Sequence, residues 1–256
     1  MTLNKIEKHI IELKTRNRKR RIKIKFPIVA SPELASVIGH CIGDGSLTER
    51  QFSFFNQSRE LVDEVTANVN AAFSTNIIPK EFKKSGGWEI EFPTNIARLI
   101  SLAGGPLGEK VFLPFRVPEW VMNGSKEIKI AFIRAVFDDE GWIKIKFIRP
   151  SSSTQRMIGI NMSKCAKFIN NHVRFLEDVR KMLLELGIRP SKVVEMGKTV
   201  NGINLGFTIS NLKNLKKFLS VISFTNLTKR KQLIGCLEES KRFDQLFPGF
   251  IQRYKD

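Results

Sequence analysis

Two acids that each close an apolar helical run, and are each followed by glycine, are the residues of this chain best suited to act together. The first run is Val37-Ile38-Gly39-His40-Cys41-Ile42-Gly43-Asp44-Gly45 and the second is Ile133-Arg134-Ala135-Val136-Phe137-Asp138-Asp139-Glu140-Gly141. An acid in the last turn of a helix faces the negative end of the helix dipole, which is unfavourable unless a cation sits beside it. A following glycine fits a left-handed helix stop that turns the chain and leaves the carboxylate at the tip. Used twice, the arrangement predicts two carboxylates, Asp44 and Glu140, built to share metal.

These motifs resemble those of the LAGLIDADG homing endonucleases of the two-motif, single-chain type. Asp44 and Glu140 fall where that family places its metal-binding acids, and Gly45 and Gly141 close the motifs. Gly39 and Ala135 match the small position that lets the motif helices pack backbone to backbone. Gly43 fits the second small position but Asp139 departs from it, and a carboxylate there is expected to turn outward or to join the metal site. The segments Arg116-Val117-Pro118-Glu119-Trp120-Val121 and Ala131-Phe132-Ile133-Arg134 look like the family's inter-repeat connection. The resemblance implies that the carbonyls of Gly43 and Asp139 complete the coordination, giving Asp44, Glu140, Gly43 and Asp139 as the metal set. It also implies that Gln57 and Lys164 assist catalysis, with Lys144 competing with Lys164 for that role.

Two carboxylates held together tend to share one proton unless divalent cations neutralise them. Oxygen ligands imply a hard cation, Mg²⁺ or another such as Mn²⁺, completed by phosphate oxygens and able to activate water for attack on phosphorus.

The elements that bring the motifs together can be read from periodicity. Gln51 to Asn56 is rich in aromatics and reads as a strand. Leu61 to Phe73 reads as a helix with Leu61, Val65, Val69 and Phe73 on one stripe. Strands Ile77 to Lys84 and Trp88 to Phe92 join through Ser85-Gly86-Gly87, and a helix follows from Asn95 to Leu102. The second half repeats the order with a strand Trp142 to Arg149, a polar loop Pro150 to Gln155 and a strand Met157 to Met162. A helix Ala166 to Leu186, a hairpin of Lys192 to Met196 with Ile203 to Ile209, and a helix Leu212 to Val221 complete it. The expected fold class is therefore α/β of the α+β type, with two pseudo-symmetric αββαββα repeats. By resemblance their antiparallel sheets are saddle-shaped and the motif helices pair at the interface.

Residues 1–30 read as a basic extension with an amphipathic helix over residues 2 to 14 and a short strand from Arg21 to Phe26. Residues 31–103 and 126–225 read as the repeats, 104–125 as a linker too irregular for an element of its own, and 226–256 as a basic closing helix and tail.

In the strand after Glu140, Ile143, Ile145 and Phe147 alternate with Lys144 and Lys146; Ile203, Leu205, Phe207 and Ile209 likewise oppose Asn204 and Thr208. One face of each sheet therefore meets helices and the other is polar. A polar, basic face suits major-groove docking, where cations hold phosphates or guanine and Asn and Gln read adenine; an ordinary solvent face carries the same pattern. The candidate DNA contacts are Lys23, Lys25, Gln51, Ser53, Lys83, Lys84, Lys144, Lys146, Arg149, Arg156, Asn161, Lys192, Lys198, Asn204 and Thr208. Glu89 and Glu91 put acid on the same face of the first sheet, at its rim or accepting from cytosine.

The 256 residues carry 42% apolar side chains and a net charge of +18, a globular composition with a surplus that marks a polyanion partner. Double-stranded DNA leads, the chain's own intron RNA is a second partner, and an anionic membrane surface is the rival class. No run has membrane-spanning length and no signal peptide is evident, so an intracellular protein without a membrane is expected, in cytoplasm, nucleoid or organelle. Three cysteines and three histidines are too few and too scattered for a zinc cluster or disulfide framework, and the histidines read as structural. A glycosidase would explain two carboxylates but not the charge. A catalytically silent DNA-binding regulator and an RNA maturase on the same scaffold are the alternatives; silent relatives lose the motif acids, and both are intact here. An intein is disfavoured, since no splicing segments flank the pattern and the chain runs from Met to Asp. The expected activity is a metal-dependent double-strand break in a long duplex site, made by a monomer.

Overall fold

A computed structural model describes residues 10–14, 21–148, 153–200 and 202–246. A hairpin comes first, with β1 (Ile10–Lys14) antiparallel to β2 (Arg21–Lys25). The first αββαββα unit is then α1 (Pro32–Ile42), β3 (Gly45–Leu47), β4 (Gln51–Asn56), α2 (Arg59–Phe73), β5 (Lys80–Lys84), β6 (Gly87–Pro93) and α3 (Thr94–Leu102). A connector holds one 3₁₀ turn (Lys110–Phe112) and the short helix α4 (Glu119–Met122). The second unit repeats the order: α5 (Lys126–Glu140), β7 (Gly141–Ile148), β8 (Ser153–Lys164), α6 (Ile169–Glu185), β9 (Val194–Thr199), β10 (Gly202–Ser210) and α7 (Leu212–Val221). Helix α8 (Leu227–Leu246) closes the described chain.

Local chemistry sets the starts of the two motif helices. The Ser31 hydroxyl accepts from the Leu34 amide at 3.2 Å ahead of Pro32 in the first turn, and Ser125 accepts from the Ile128 amide at 3.4 Å. Each sheet is four-stranded, antiparallel and open, in the orders β3-β4-β6-β5 and β7-β8-β10-β9. Register brings Phe52 opposite Phe92 and Phe54 opposite Ile90, and Ile158 and Ile160 opposite Ile209 and Phe207, all buried against helices. The alternate residues form the outer faces. Between the two units, α1 and α5 make the most extensive contact of any two helices. Gly39 is why they approach so closely: a Cβ there would lie 2.7 Å from that of Ala135 and 2.8 Å from the carbonyl oxygen of Phe132. The small-residue expectation holds at this level.

Several expectations are corrected. Residues 10–14 form a strand rather than the end of a helix, because the alternating Arg21–Lys25 segment offers a partner that sets Ile11 opposite Ile24 and Leu13 opposite Ile22. The connector is less irregular than its glycines and prolines imply, since Phe115, Val117 and Val121 bury themselves and the Trp120 indole donates to the Ala103 carbonyl at 2.8 Å. Strand β3, only three residues long, has no readable pattern, and β5 begins at Lys80 rather than Ile77. The glycines after the acids do not stop the helices in a left-handed conformation: Gly141 is extended at φ −80° and ψ 150°, and Gly45 is not among the positive-φ glycines. Their need is steric. A Cβ would lie 2.3 Å from the Phe137 carbonyl oxygen at Gly141 and 2.7 Å from the His40 carbonyl oxygen at Gly45, because each strand departs back along the last helical turn. Arg149 to Ser152 and the basic run from Thr15 to Arg20 lie outside the described residues.

Candidate functional site

Gly39 meets Ala135 and Gly43 meets Asp139, so the two motifs run side by side in register with their acids at the same end. Asp139 occupies a position expected to be small, and its side chain turns inward rather than outward or to a metal. Its carboxylate is fully buried, accepts from His40 Nδ1 at 3.0 and 3.1 Å, and accepts from the Asp44 backbone amide at 3.1 Å. Gly43 makes room for it, since a Cβ there would come within 2.4 Å of Asp139 Oδ2. Burial alone would push the His40 imidazole down, but the Asp139 charge and hydrogen bond override this and raise it to about 9. His40 is therefore a buried imidazolium, packed at 5.1 Å against the Phe54 ring.

Both motif ends also carry an ammonium group, and the sequence reading foresaw neither. Lys110, from the 3₁₀ turn of the connector, donates to the carbonyls of Gly43, Gly45 (2.6 Å) and Cys41 (3.4 Å) at the end of α1. Lys229, in the first turn of α8, donates to the carbonyls of Asp138 (2.5 Å), Phe137 (3.3 Å) and Asp139 (3.3 Å) at the end of α5. Cations at helix C-termini offset the negative end of the dipole. The carbonyls of Gly43 and Asp139, expected as metal ligands, thus already have ammonium partners.

The acids themselves differ. Asp44 stands exposed and accepts from the Asn56 side chain at 2.8 Å; desolvation and then the Asp139 charge raise its carboxyl to about 6. Glu140 makes no hydrogen bond or ion pair among the described residues, and desolvation followed by the Asp44 charge raises it to about 7. Each holds a proton more tightly than an ordinary carboxyl does, despite the two lysines. Among the described residues no three His, Cys, Asp or Glu side chains are grouped to hold a metal; Asp44 and Glu140 stand as a pair of oxygen donors at the two helix ends. That all-oxygen pair fits a hard divalent cation.

Reciprocal contacts dock α8 onto α5. The Asp138 carboxylate accepts from the amides of Thr225 and Asn226, both at 3.0 Å, just ahead of α8, while Lys229 returns a cation to the carbonyls of α5. Burial, opposed by those amide bonds, raises Asp138 to about 6.

Other expected site residues lie elsewhere. Gln57 is exposed and touches neither acid, whereas its neighbour Asn56 holds Asp44. Lys164 is buried on the helix side of its sheet, donating to the Lys110 carbonyl with its ammonium 3.8 Å from the centre of the Phe115 ring, and burial lowers it to about 8. Lys144 lies on the outer face, its ammonium 4.7 Å from the Trp142 ring centre. Neither lysine is brought to the carboxylates.

Register sorts the candidate DNA contacts. On the outer faces stand Gln51, Ser53, Lys84, Lys144, Asn161, Asn204 and Thr208. There the Trp142 indole donates to Asn161, which donates to Asn204 at 3.2 Å, while Gln51 donates to Glu91 at 3.0 Å and Lys84 pairs with Glu89 at 3.1 Å. Glu89 and Glu91 are not at the rim, because β6 is an interior strand. Lys83, Arg156 and Lys198 fall in the helix-side rows, opposite Trp88, Ile145 and Ile203, so alternation of polar residues alone misassigned them. Lys192 is exposed in the loop before β9. The side chains of Lys23, Lys25 and Lys146 lie outside the description, as does Arg149 altogether.

Comparison with known proteins follows the same outline. Residues 127–223 match the family model of the LAGLIDADG-like domain. The chain is 27% identical over 232 residues to the isomerizing glutamine–fructose-6-phosphate aminotransferase of Methanocaldococcus jannaschii, covering 85% of this chain and 18% of that protein. It is 26% identical over 208 residues to the tRNA-splicing ligase RtcB of Methanopyrus kandleri, covering 75% of this chain and 20% of that one. The chain thus spans about a fifth of the length of these relatives. Among solved structures, the LAGLIDADG homing endonuclease I-GzeII in complex with a DNA target superposes with a TM-score of 0.54 at 8% identity, covering 88% of this chain and 96% of that one. Residues 127–223 thus match a LAGLIDADG-like domain, and the described fold is similar to that of the LAGLIDADG homing endonuclease I-GzeII.

Proposed function

We propose that the protein is a site-specific DNA endonuclease that makes a divalent-metal-dependent double-strand break in a long duplex target. The observation that carries this reading is the pair of proton-hungry carboxylates, Asp44 and Glu140, at adjacent helix ends. A hard divalent cation such as Mg²⁺ or Mn²⁺, when bound there, supplies a Lewis acid for water activation and for the leaving oxygen. The protein's own part is to hold each carboxylate at a fixed place. Asn56 orients Asp44, while Lys110 and Lys229 neutralise the helix ends and present positive charge where phosphates would enter. The outer sheet faces suit groove docking, and the net charge of +18 suits a polyanion. The named relatives, an aminotransferase and an RNA ligase, have no activity in common yet share one stretch of about a fifth of their length. A stretch that recurs in unrelated hosts behaves as a self-contained module, which favours homing over host regulation. Both motif helices pair within one chain, so a monomer suffices.

Asp44→Asn and Glu140→Gln should each abolish double-strand cleavage in Mg²⁺ while leaving affinity for the target within about threefold, since neither removes a groove contact. Cleavage at the wild-type rate by either variant refutes the assignment.

A further inference from the structure

We propose that the buried His40–Asp139 ion pair is a positioning element, which grips the Asp44 backbone from the opposite repeat and so sets where the Asp44 carboxylate stands. The inference rests on the nuclease reading above. Helix α1 makes one of its last backbone bonds from Gly43 to Gly39 at 2.9 Å, and Gly43 leaves the helical region at φ −76° and ψ −114°. The next amide, that of Asp44, is held by Asp139 Oδ2 at 3.1 Å. Asp139 belongs to the other motif helix, so the first acid takes its place from the second repeat.

Stability does not explain this carboxylate. Burying an ion pair at a helix interface usually gains no more than an apolar contact of the same size, and removing one partner leaves an uncompensated charge. A small residue would have closed the gap over Gly43 without any charge. What a small residue lacks is an acceptor for the Asp44 amide.

Other roles for the pair fail on geometry. Asp139 is a poor direct ligand, because both its oxygens lie within 3.1 Å of His40 Nδ1 and its side chain has no exposed surface. His40 is no general base, because Nδ1 faces Asp139, Nε2 is buried without a partner, and the residue is inaccessible to substrate. The His40 ring holds both Asp139 oxygens from one side, and Asp139 Oδ2 in turn holds the Asp44 amide.

The test compares wild type, Asp139→Ala and the double variant His40→Leu with Asp139→Ala, which returns the interface to apolar contact. Three quantities are read: amide hydrogen exchange at Asp44, target affinity in Ca²⁺, and the single-turnover cleavage rate in Mg²⁺ at saturating DNA. Both variants should lose Asp44 amide protection and cleave at least about tenfold more slowly with affinity within about threefold, as loss of fixed geometry predicts. The double variant should regain melting temperature but not rate. A merely structural pair predicts that rate returns with melting temperature, and that result overturns the proposal. Unchanged amide protection, or cleavage within about twofold of wild type in either variant, also overturns it. A wild type that binds but never cleaves overturns the nuclease reading instead, and amide exchange then still reports whether Asp139 holds Asp44.

Discussion

Glu140 and Asp44 are carboxylates whose proton affinity the fold raises, and that fixes how stability responds to pH. Their carboxyls stand at about 7 and about 6 in the folded chain, against ordinary values of 4.5 and 3.8. The native state then binds more protons than the unfolded one between those limits, so their contribution to stability falls as pH rises through the window and stays unfavourable above it. In EDTA, Glu140→Gln should melt with the wild type below pH 4.5, climb above it as pH rises to about 7 and keep that margin beyond, which differential scanning calorimetry at several pH values will read. A constant offset across the range would rule out a carboxyl raised by burial and by the Asp44 charge as the cause. The two acids were legible because residue type, apolar run and following glycine coincide twice. Lys110 and Lys229 were not, because nothing local distinguishes them among 43 basic residues. Asn56 was missed by one residue, since a strand end shows which residues are polar but not which one turns to the helix tip.

At the level of elements, α5 and α8 cap one another, with Asp138 serving the amides of Thr225 and Asn226 and Lys229 serving the carbonyls of α5. Asp138→Ala should cost about 2 kcal/mol through the two amides left unpaired, and should loosen the first turn of α8 with its lysine. Denaturant unfolding gives the first quantity, and amide exchange at Thr225 and Asn226 gives the second. Apart from the three-residue β3, the order of the repeats was readable, because alternation with period two marks half-buried strands and apolar stripes mark the helices between them. What escaped was set by partners distant in sequence. Residues 10–14 became a strand through a neighbour that offered the matching edge, and the connector settled through burial of Phe115, Val117 and Val121.

For the molecule as a whole, two faces of one sheet make different predictions about DNA. Lys84 stands on the outer face and Lys83 on the helix side of the same strand. If the outer faces dock on duplex, log affinity should fall against log salt with a slope of roughly −5 to −9, and Lys84→Ala should make it shallower by about 1 while Lys83→Ala leaves it unchanged. Fluorescence anisotropy across a salt series measures all three, and equal effects of the two substitutions would remove the face assignment. The motif interface has a further consequence, which concerns recognition between the halves themselves. It is not interchangeable: one helix brings a cation and a hollow at His40 and Gly43, the other brings Val136 and Asp139 at the matching places. Two copies of α5 set face to face in this register would turn Asp139 toward Val136 and bury acids with no imidazolium, a cost of several kcal/mol. Two copies of α1 would bury imidazoles with no acid. Each half therefore carries an address that only the complementary half can read, and two like halves do not pair with each other.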